Sequence, residues 1–114
     1  MAPTTLIGQR ASTCPRGRDV KVNGYPIRVS EMLAALPAPG YIARVTVAQP
    51  KYITKAKQAV RQAFQNQVDG KGFSLVEILS SCPTNWGMRP VEAFDWLVNT
   101  MIPYYPLGTF KDFD

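Results

Sequence analysis

The run Phe73-Ser74-Leu75-Val76-Glu77-Ile78-Leu79 limits the fold more than any other stretch of the chain. It is almost continuously apolar, of strand length, and interrupted only by Ser74 and Glu77. Gly72 closes what precedes it, Ser80-Ser81-Cys82-Pro83 forms a polar loop after it, and Pro90 opens a helical pattern. A short apolar run bounded by turn residues and leading into a helix reads as a buried strand of a parallel sheet. In open α/β sheets, ligands and partners sit at the loops leaving the carboxyl ends of strands. The functional surface is therefore expected at residues Ser80 to Arg89.

The rest of the chain arranges itself around that strand. Residues 1–27 show neither helical nor strand periodicity and carry three successive turn clusters, ending at Asn23-Gly24-Tyr25-Pro26. Ser30 is expected to cap a short helix over Glu31–Leu36, stopped by Pro37, Pro39 and Gly40. Tyr41 to Val47 is β-rich, with Arg44 its single charge, so either this strand lies near an edge or Arg44 has a partner. Pro50 opens the longest helix, to about Gln67, whose stripe is Ile53, Ala56, Val60, Ala63, Phe64 and Gln67. The last helix starts at Pro90, is striped by Val91, Phe94, Leu97, Val98 and Met101, and is expected to be broken by Pro103, Pro106 and Gly108.

This order predicts an irregular loop over 1–27, an αβαβα unit over 28–103 and an aromatic tail over 104–114. Helical crossovers between strands imply parallel pairing with right-handed connections. Two strands make a poor sheet by themselves, which points to the closing part of a larger doubly wound α/β domain.

Composition removes several function classes. The 114 residues are 46% hydrophobic and 18% charged, ordinary for a globular domain. No apolar run approaches a membrane span and no secretory leader is visible, so a cytoplasmic protein is the default expectation. Thirteen Lys and Arg against eight Asp and Glu give a net charge of +5. The excess is gathered in Arg10–Arg28 and in Lys51, Lys55, Lys57 and Arg61, which favours anionic partners or, equally, a solvated basic face. The chain has no histidine, and its two cysteines, Cys14 and Cys82, lie far apart. Zinc sites, a chain-internal iron–sulfur cluster and histidine-activated nucleophiles are thereby disfavoured.

No complete catalytic set emerges. Cys82, on the loop after the strand, is a nucleophile or redox candidate that also fits a small packed residue. Glu77, left unpaired among apolar neighbours, suits acid–base work; the alternative is an ion pair with Arg44 on the adjoining strand. Trp86 reads as a stacking platform, a subunit anchor or a core lid. The glycines match no self-contained nucleotide cradle.

With these residues on the page, a resemblance can be stated. The segment from Gly72 to Gly87 is similar to the late signature of the β subunit of 2-oxoacid:ferredoxin oxidoreductases, the thiamine-diphosphate-binding subunit. Met1-Ala2-Pro3-Thr4-Thr5, Arg18-Asp19, Gly24-Tyr25-Pro26 and Tyr104-Tyr105-Pro106-Leu107-Gly108 match it too, in order and over nearly the whole chain. The nearest flavour is the 2-oxoglutarate or branched-chain (ketoisovalerate) type. The resemblance implies oxidative decarboxylation of a 2-oxoacid to acyl-coenzyme A, with iron–sulfur clusters in the complex passing electrons to ferredoxin. It also implies that the Gly-Asp-Gly motif holding Mg²⁺ and the diphosphate belongs upstream of the counterpart of Met1, which then reads as an internal methionine. No metal ligand and no catalytic residue carries over to this chain, which alone should be inactive. Pro3, Thr4 and Thr5 carry over as the rim of the thiamine pocket, and Cys82, Pro83, Thr84, Asn85 and Trp86 as a loop reaching the cofactor cleft or a partner subunit. The basic clusters would suit acidic ferredoxin or coenzyme A phosphates. Nucleic acid is not an expected partner under this resemblance; a basic nucleic-acid-binding or subunit-assembly module is the competing reading.

Overall fold

The computed structural model describes residues 1–38 and 40–113. The elements are α1 (Val20–Asn23), α2 (Val29–Ala34), β1 (Gly40–Thr46), α3 (Pro50–Val68), β2 (Phe73–Leu79), α4 (Pro83–Trp86) and α5 (Pro90–Trp96). A π-helical turn, Leu97–Met101, leads into α6 (Ile102–Tyr104), and β3 (Gly108–Asp112) closes the chain. One sheet has the order β2-β1-β3. β1 and β2 run parallel, in register from Gly40 opposite Phe73 to Thr46 opposite Leu79.

The α/β class and the central strand–helix–strand unit match the sequence reading, and two expectations need correcting. Within the stretch expected to be an irregular tail, Gly108–Asp112 form a strand, and the sheet is not parallel throughout. β3 pairs antiparallel with β1, from Tyr41 opposite Asp112 to Arg44 opposite Gly108, with a register shift between Ile42 and Ala43. Gly-Thr-Phe-Lys-Asp has no alternating apolar pattern, so its strand state comes from pairing with β1 rather than from local preference.

Nor does Ser30 cap α2. Arg28 occupies that position, while Ser30 is the second residue of the helix, fully buried. Its hydroxyl donates to Glu77 Oε2 at 3.1 Å, a tertiary bond that outweighs capping. Pro39, named among the residues ending this helix, lies outside the described residues.

Helix α3 starts at Pro50, whose missing N–H is harmless in the first turn. It lies on β1 and β2, with Ala56 and Ala59 packed on Tyr41, Ala43 and Val45. The small alanines let the helix approach the sheet, and Ala63 and Val76 extend the contact. The expected stripe is off at its end: Phe64 is 70% exposed, and Asn66 is buried instead. Asn66 accepts from Gln62 Nε2 at 2.7 Å and donates to Ser74 Oγ at 3.4 Å, which satisfies a polar side chain at the helix–sheet seam.

The C-terminal helix departs from expectation only in its first turns. Val91 and Phe94 face solvent and Ala93 is buried in their place, whereas Leu97 and Met101 are buried as expected. Pro103 does not stop it: the preceding turn widens to π geometry, and the helix continues through Pro103 to Tyr104. An i→i+5 turn relieves the clash between a proline ring and the carbonyl four residues back. This helix places Leu97, Met101 and Tyr105 against Leu6, Ala48 and Leu79 in a second core.

The sheet face opposite α3 is organised by Arg44, whose side chain is fully buried. Its Nε is paired with Glu77, its register partner on β2. Its Nη2 meets Glu31 of α2, and its Nη1 donates to the Pro106 carbonyl at 3.1 Å. The rings of Tyr105 and Phe110 flank the guanidinium at 5.2 and 5.0 Å. The ion pair weighed from the sequence for Glu77 is thus present.

Deleting one member of a buried ion network strands the others without compensation. Arg44→Met is expected to destabilise the fold by about 3–5 kcal/mol in urea denaturation. Arg44→Met combined with Glu77→Leu and Glu31→Gln should recover most of that loss.

Candidate functional site

At the carboxyl end of β2, a cleft of about 300 Å³ opens between the N-terminal segment and the loop that leads to α4. Thr4, Thr5 and Gln9 form one wall, Cys82, Asn85 and Trp86 the other, with Leu79 and Met101 also lining it. Two stretches at opposite ends of the sequence, Pro3–Thr5 and Cys82–Trp86, therefore meet at one place. Not every predicted member faces the opening. Thr4, Thr5, Cys82, Asn85 and Trp86 line it, whereas Pro3, Pro83 and Thr84 do not.

Each wall is held by identifiable contacts. Pro83 starts the single turn of α4, and Gly87 ends it in the left-handed region at φ 67°. Trp86 packs at 4.9 Å on Trp96, which fixes its ring at the mouth. Asn85 ties the walls together: its carbonyl accepts from the Ser12 amide at 2.8 Å, and its side chain accepts from the Ser12 hydroxyl. Tyr105 is fully buried beneath Thr4 and donates its phenol to the Thr4 carbonyl at 2.9 Å. Burial pushes the Tyr105 phenol up to about 12, with Tyr104 and Glu77 adding to the rise.

The residue that composition arguments missed is Arg18. Counted as part of a basic cluster, it is only 6% exposed. Its Nε donates to the Gly24 carbonyl at 2.8 Å. Its Nη1 reaches the carbonyls of Ala2, Pro3 and Thr5 at 3.2, 3.4 and 3.1 Å. Its Nη2 reaches those of Asn23 and Tyr25 at 3.2 and 3.0 Å. A guanidinium fork can bind carbonyls on several sides at once, which a lysine cannot. Residues 1–27, expected to be irregular throughout, contain the short helix α1 (Val20–Asn23) and fold around this cation, which sets the wall that bears Thr4 and Thr5. Gly17 shows how close the packing is: its φ is +87°, and an added Cβ would meet the Gly8 carbonyl oxygen at 2.8 Å. The nearest sequence signal was Arg18 standing amid turn-forming residues with Asp19 as the sole nearby acid.

The other basic residues divide. Arg28 stacks on Tyr104 at 4.2 Å, and Lys55 lines a separate groove of about 620 Å³ between α3 and β3. Lys57 and Arg61 remain on the exposed face of α3. Cys14 and Cys82 are free thiols.

Chemically, the cleft offers hydroxyls, an amide, a thiol and an indole. It suits the uncharged part of a ligand. It does not fit a metal–diphosphate: among the described residues, Glu77 is the one acid lining it and is committed to Arg44, and neither Lys nor Arg lines it. Among the described residues, no group of three or more His, Cys, Asp or Glu side chains is placed to hold a metal ion. No described helix is long and apolar enough to cross a membrane.

Comparison with known proteins gives a consistent set of relatives. The ketoisovalerate oxidoreductase subunit VorA of Methanothermobacter marburgensis is 48% identical over 112 residues, covering 98% of this chain and 23% of that protein. VorA of Methanothermobacter thermautotrophicus is 45% identical over 112 residues, with 98% and 24% covered. The 2-oxoglutarate synthase subunit KorB of Archaeoglobus fulgidus is 34% identical over 90 residues, with 75% and 31% covered. The chain thus spans about a quarter of the VorA relatives. No family model and no solved structure matches it.

Two outcomes test the walls of the cleft. Arg18→Lys should leave the sheet intact but speed exchange of the Gly8 and Gly24 amides by about tenfold or more, equivalent to ~1.4 kcal/mol of local opening. For Tyr105, a phenol raised from 10.0 to about 12 by folding supports stability fully below pH 10. That support is lost as pH rises through about 12, because the unfolded chain ionises first. Tyr105→Phe should cost about 1 kcal/mol at neutral pH. The gap between variant and parent, read from urea midpoints, should hold below pH 10 and narrow above it.

Proposed function

Because the chain belongs, along nearly its whole length, to the family of 2-oxoacid oxidoreductase subunits, we propose that it is the closing segment of a thiamine-diphosphate-dependent 2-oxoacid:ferredoxin oxidoreductase β subunit. The observation that carries this reading is the cleft at the carboxyl end of β2, where the two stretches that resemble this family are brought together. The substrate is a 2-oxoacid of branched-chain or 2-oxoglutarate type, and the VorA relatives favour the branched-chain one. The product is the acyl-coenzyme A, with electrons leaving through iron–sulfur clusters to ferredoxin and other subunits completing the complex.

Thiamine diphosphate supplies the carbanion chemistry when bound. The residues here do not hold its charged end, so Mg²⁺ and the diphosphate are gripped by other parts of the subunit. This chain forms one side of the pocket: Thr4 and Thr5 as its rim, with Asn85 and Trp86 closing the mouth and keeping water out. Arg18 and Tyr105 hold the rim still, since misplacing a wall by about an ångström is enough to lose orders of magnitude in rate. By itself the chain is catalytically silent.

A segment exchange tests this. The 112 matched residues of Methanothermobacter marburgensis VorA are replaced by this chain, and coenzyme A-dependent reduction of ferredoxin by 2-ketoisovalerate is measured in the assembled complex. Turnover within about tenfold of the parent is expected, with none from the chain alone; Trp86→Ala in the chimera should lower it by ~10²-fold. An assembled, thiamine-loaded chimera without turnover on any 2-oxoacid would sink the reading. Binding of the free chain to DNA with a steep salt dependence would favour the basic binding module instead.

A further inference from the structure

Asn23-Gly24 is the one Asn-Gly step in the chain. Glycine has no side chain to shield its peptide nitrogen, and that nitrogen can attack the asparagine side-chain carbonyl. A bond then forms between Gly24 N and Asn23 Cγ, the Cγ–Nδ2 bond breaks, and the side-chain nitrogen leaves as ammonia with the amide proton. Water opens the resulting cyclic imide at one of its two carbonyls. Attack at Cγ gives aspartate on the original backbone path. Attack at the main-chain carbon gives isoaspartate, whose backbone runs through the former side chain. Water is the only co-reactant, and nothing is oxidised or reduced.

The fold holds both reacting groups. Asn23 is exposed at the end of α1. Its Oδ1 accepts from the Asp19 amide at 3.1 Å, and the Gly24 N–H donates to the Val20 carbonyl at 3.0 Å. The space beside Gly24 is open, since an added Cβ would meet no atom within 4 Å. Hydrogen bonds, not crowding, therefore restrain the step. Arg18 tightens that restraint by donating to the carbonyls of Asn23, Gly24 and Tyr25 at 3.2, 2.8 and 3.0 Å.

We propose that Asn23-Gly24 is a site of spontaneous deamidation gated by Arg18: conversion takes place when the knot around this guanidinium opens, and the isoaspartate product keeps the knot from closing. The first half follows from the Gly24 N–H, which must leave Val20 before its nitrogen can attack. The second follows from the product. Isoaspartate lengthens the backbone between Asn23 and Gly24 and turns the Asn23 carbonyl into a carboxylate off the chain. Three carbonyls that converge on one cation then lose their spacing. Arg18 also binds the carbonyls of Ala2, Pro3 and Thr5, and the Ile27 amide donates to Pro3 at 3.0 Å. The damage therefore reaches the wall that carries Thr4 and Thr5. This inference stands apart from the family reading.

The test is peptide mass spectrometry of the chain aged in neutral buffer, folded and in urea, beside amide exchange at Gly24. Asn23 should convert ahead of Asn66, Asn85 and Asn99. Folding should slow conversion at Asn23 by at least about tenfold, and by the same factor, within about threefold, as it slows exchange at Gly24. Arg18→Lys should raise both rates together in the folded chain. Equal conversion in the folded and urea-unfolded chain overturns the gate, as does conversion that departs from Gly24 exchange. If Arg18→Lys does not fold, the comparison of the parent chain with and without urea decides alone. The isoaspartate form, separated by chromatography, should exchange its Gly8 and Ile27 amides about tenfold faster than the parent, whereas Asn23→Asp should not. Parent-like exchange in the isoaspartate form would refute the lasting opening of the knot.

Discussion

A single buried cation holds the sheet side of this molecule together. Arg44 sits in the middle of the central strand and gathers an acid from β2, an acid from α2, a carbonyl from the turn before β3 and two aromatic rings. Each of those elements is short, and α2 and β3 have little apolar surface with which to dock unaided. Desolvating a guanidinium is costly, and the flanking carboxylates, the Pro106 carbonyl and the rings offset that cost. The consequence is coupling: α2, the parallel pair and the closing strand share one buried centre.

What the sequence showed follows from how local each signal is. β1, β2 and α3 were readable almost to the residue, because apolar runs and a proline-started helix declare themselves without tertiary help. The Arg44–Glu77 pair was readable as one of two outcomes, since two strands with one charge each invite a match. β3 was not readable, because its five residues become a strand only against β1. Ser30 was misassigned since a hydroxyl that suits a helix cap also suits a buried carboxylate, and only the fold decides between them. Pro103 was taken as a stop because a widened turn leaves no mark in the sequence.

The cleft divides in the same way. Its position followed from the rule that sites lie beyond the carboxyl ends of strands, and Cys82, Asn85 and Trp86 are found there. The resemblance, not periodicity, pointed to Thr4 and Thr5. Arg18 escaped both arguments, because counting charges treats arginine as surface until its carbonyl partners are seen. The basic character inferred from residues 10–28 is correspondingly weaker than the count suggests, with Arg18 internal and Arg28 laid against Tyr104.

The two internal arginines differ in what surrounds them, and the difference gives the molecule two unlike halves. Arg44 is balanced by two carboxylates, so its place depends on the identity of other side chains. Arg18 is met by peptide carbonyls, which every residue type carries. The N-terminal knot is therefore specified by the path of its backbone more than by its side chains, and it can drift in sequence where the ion network of the sheet cannot.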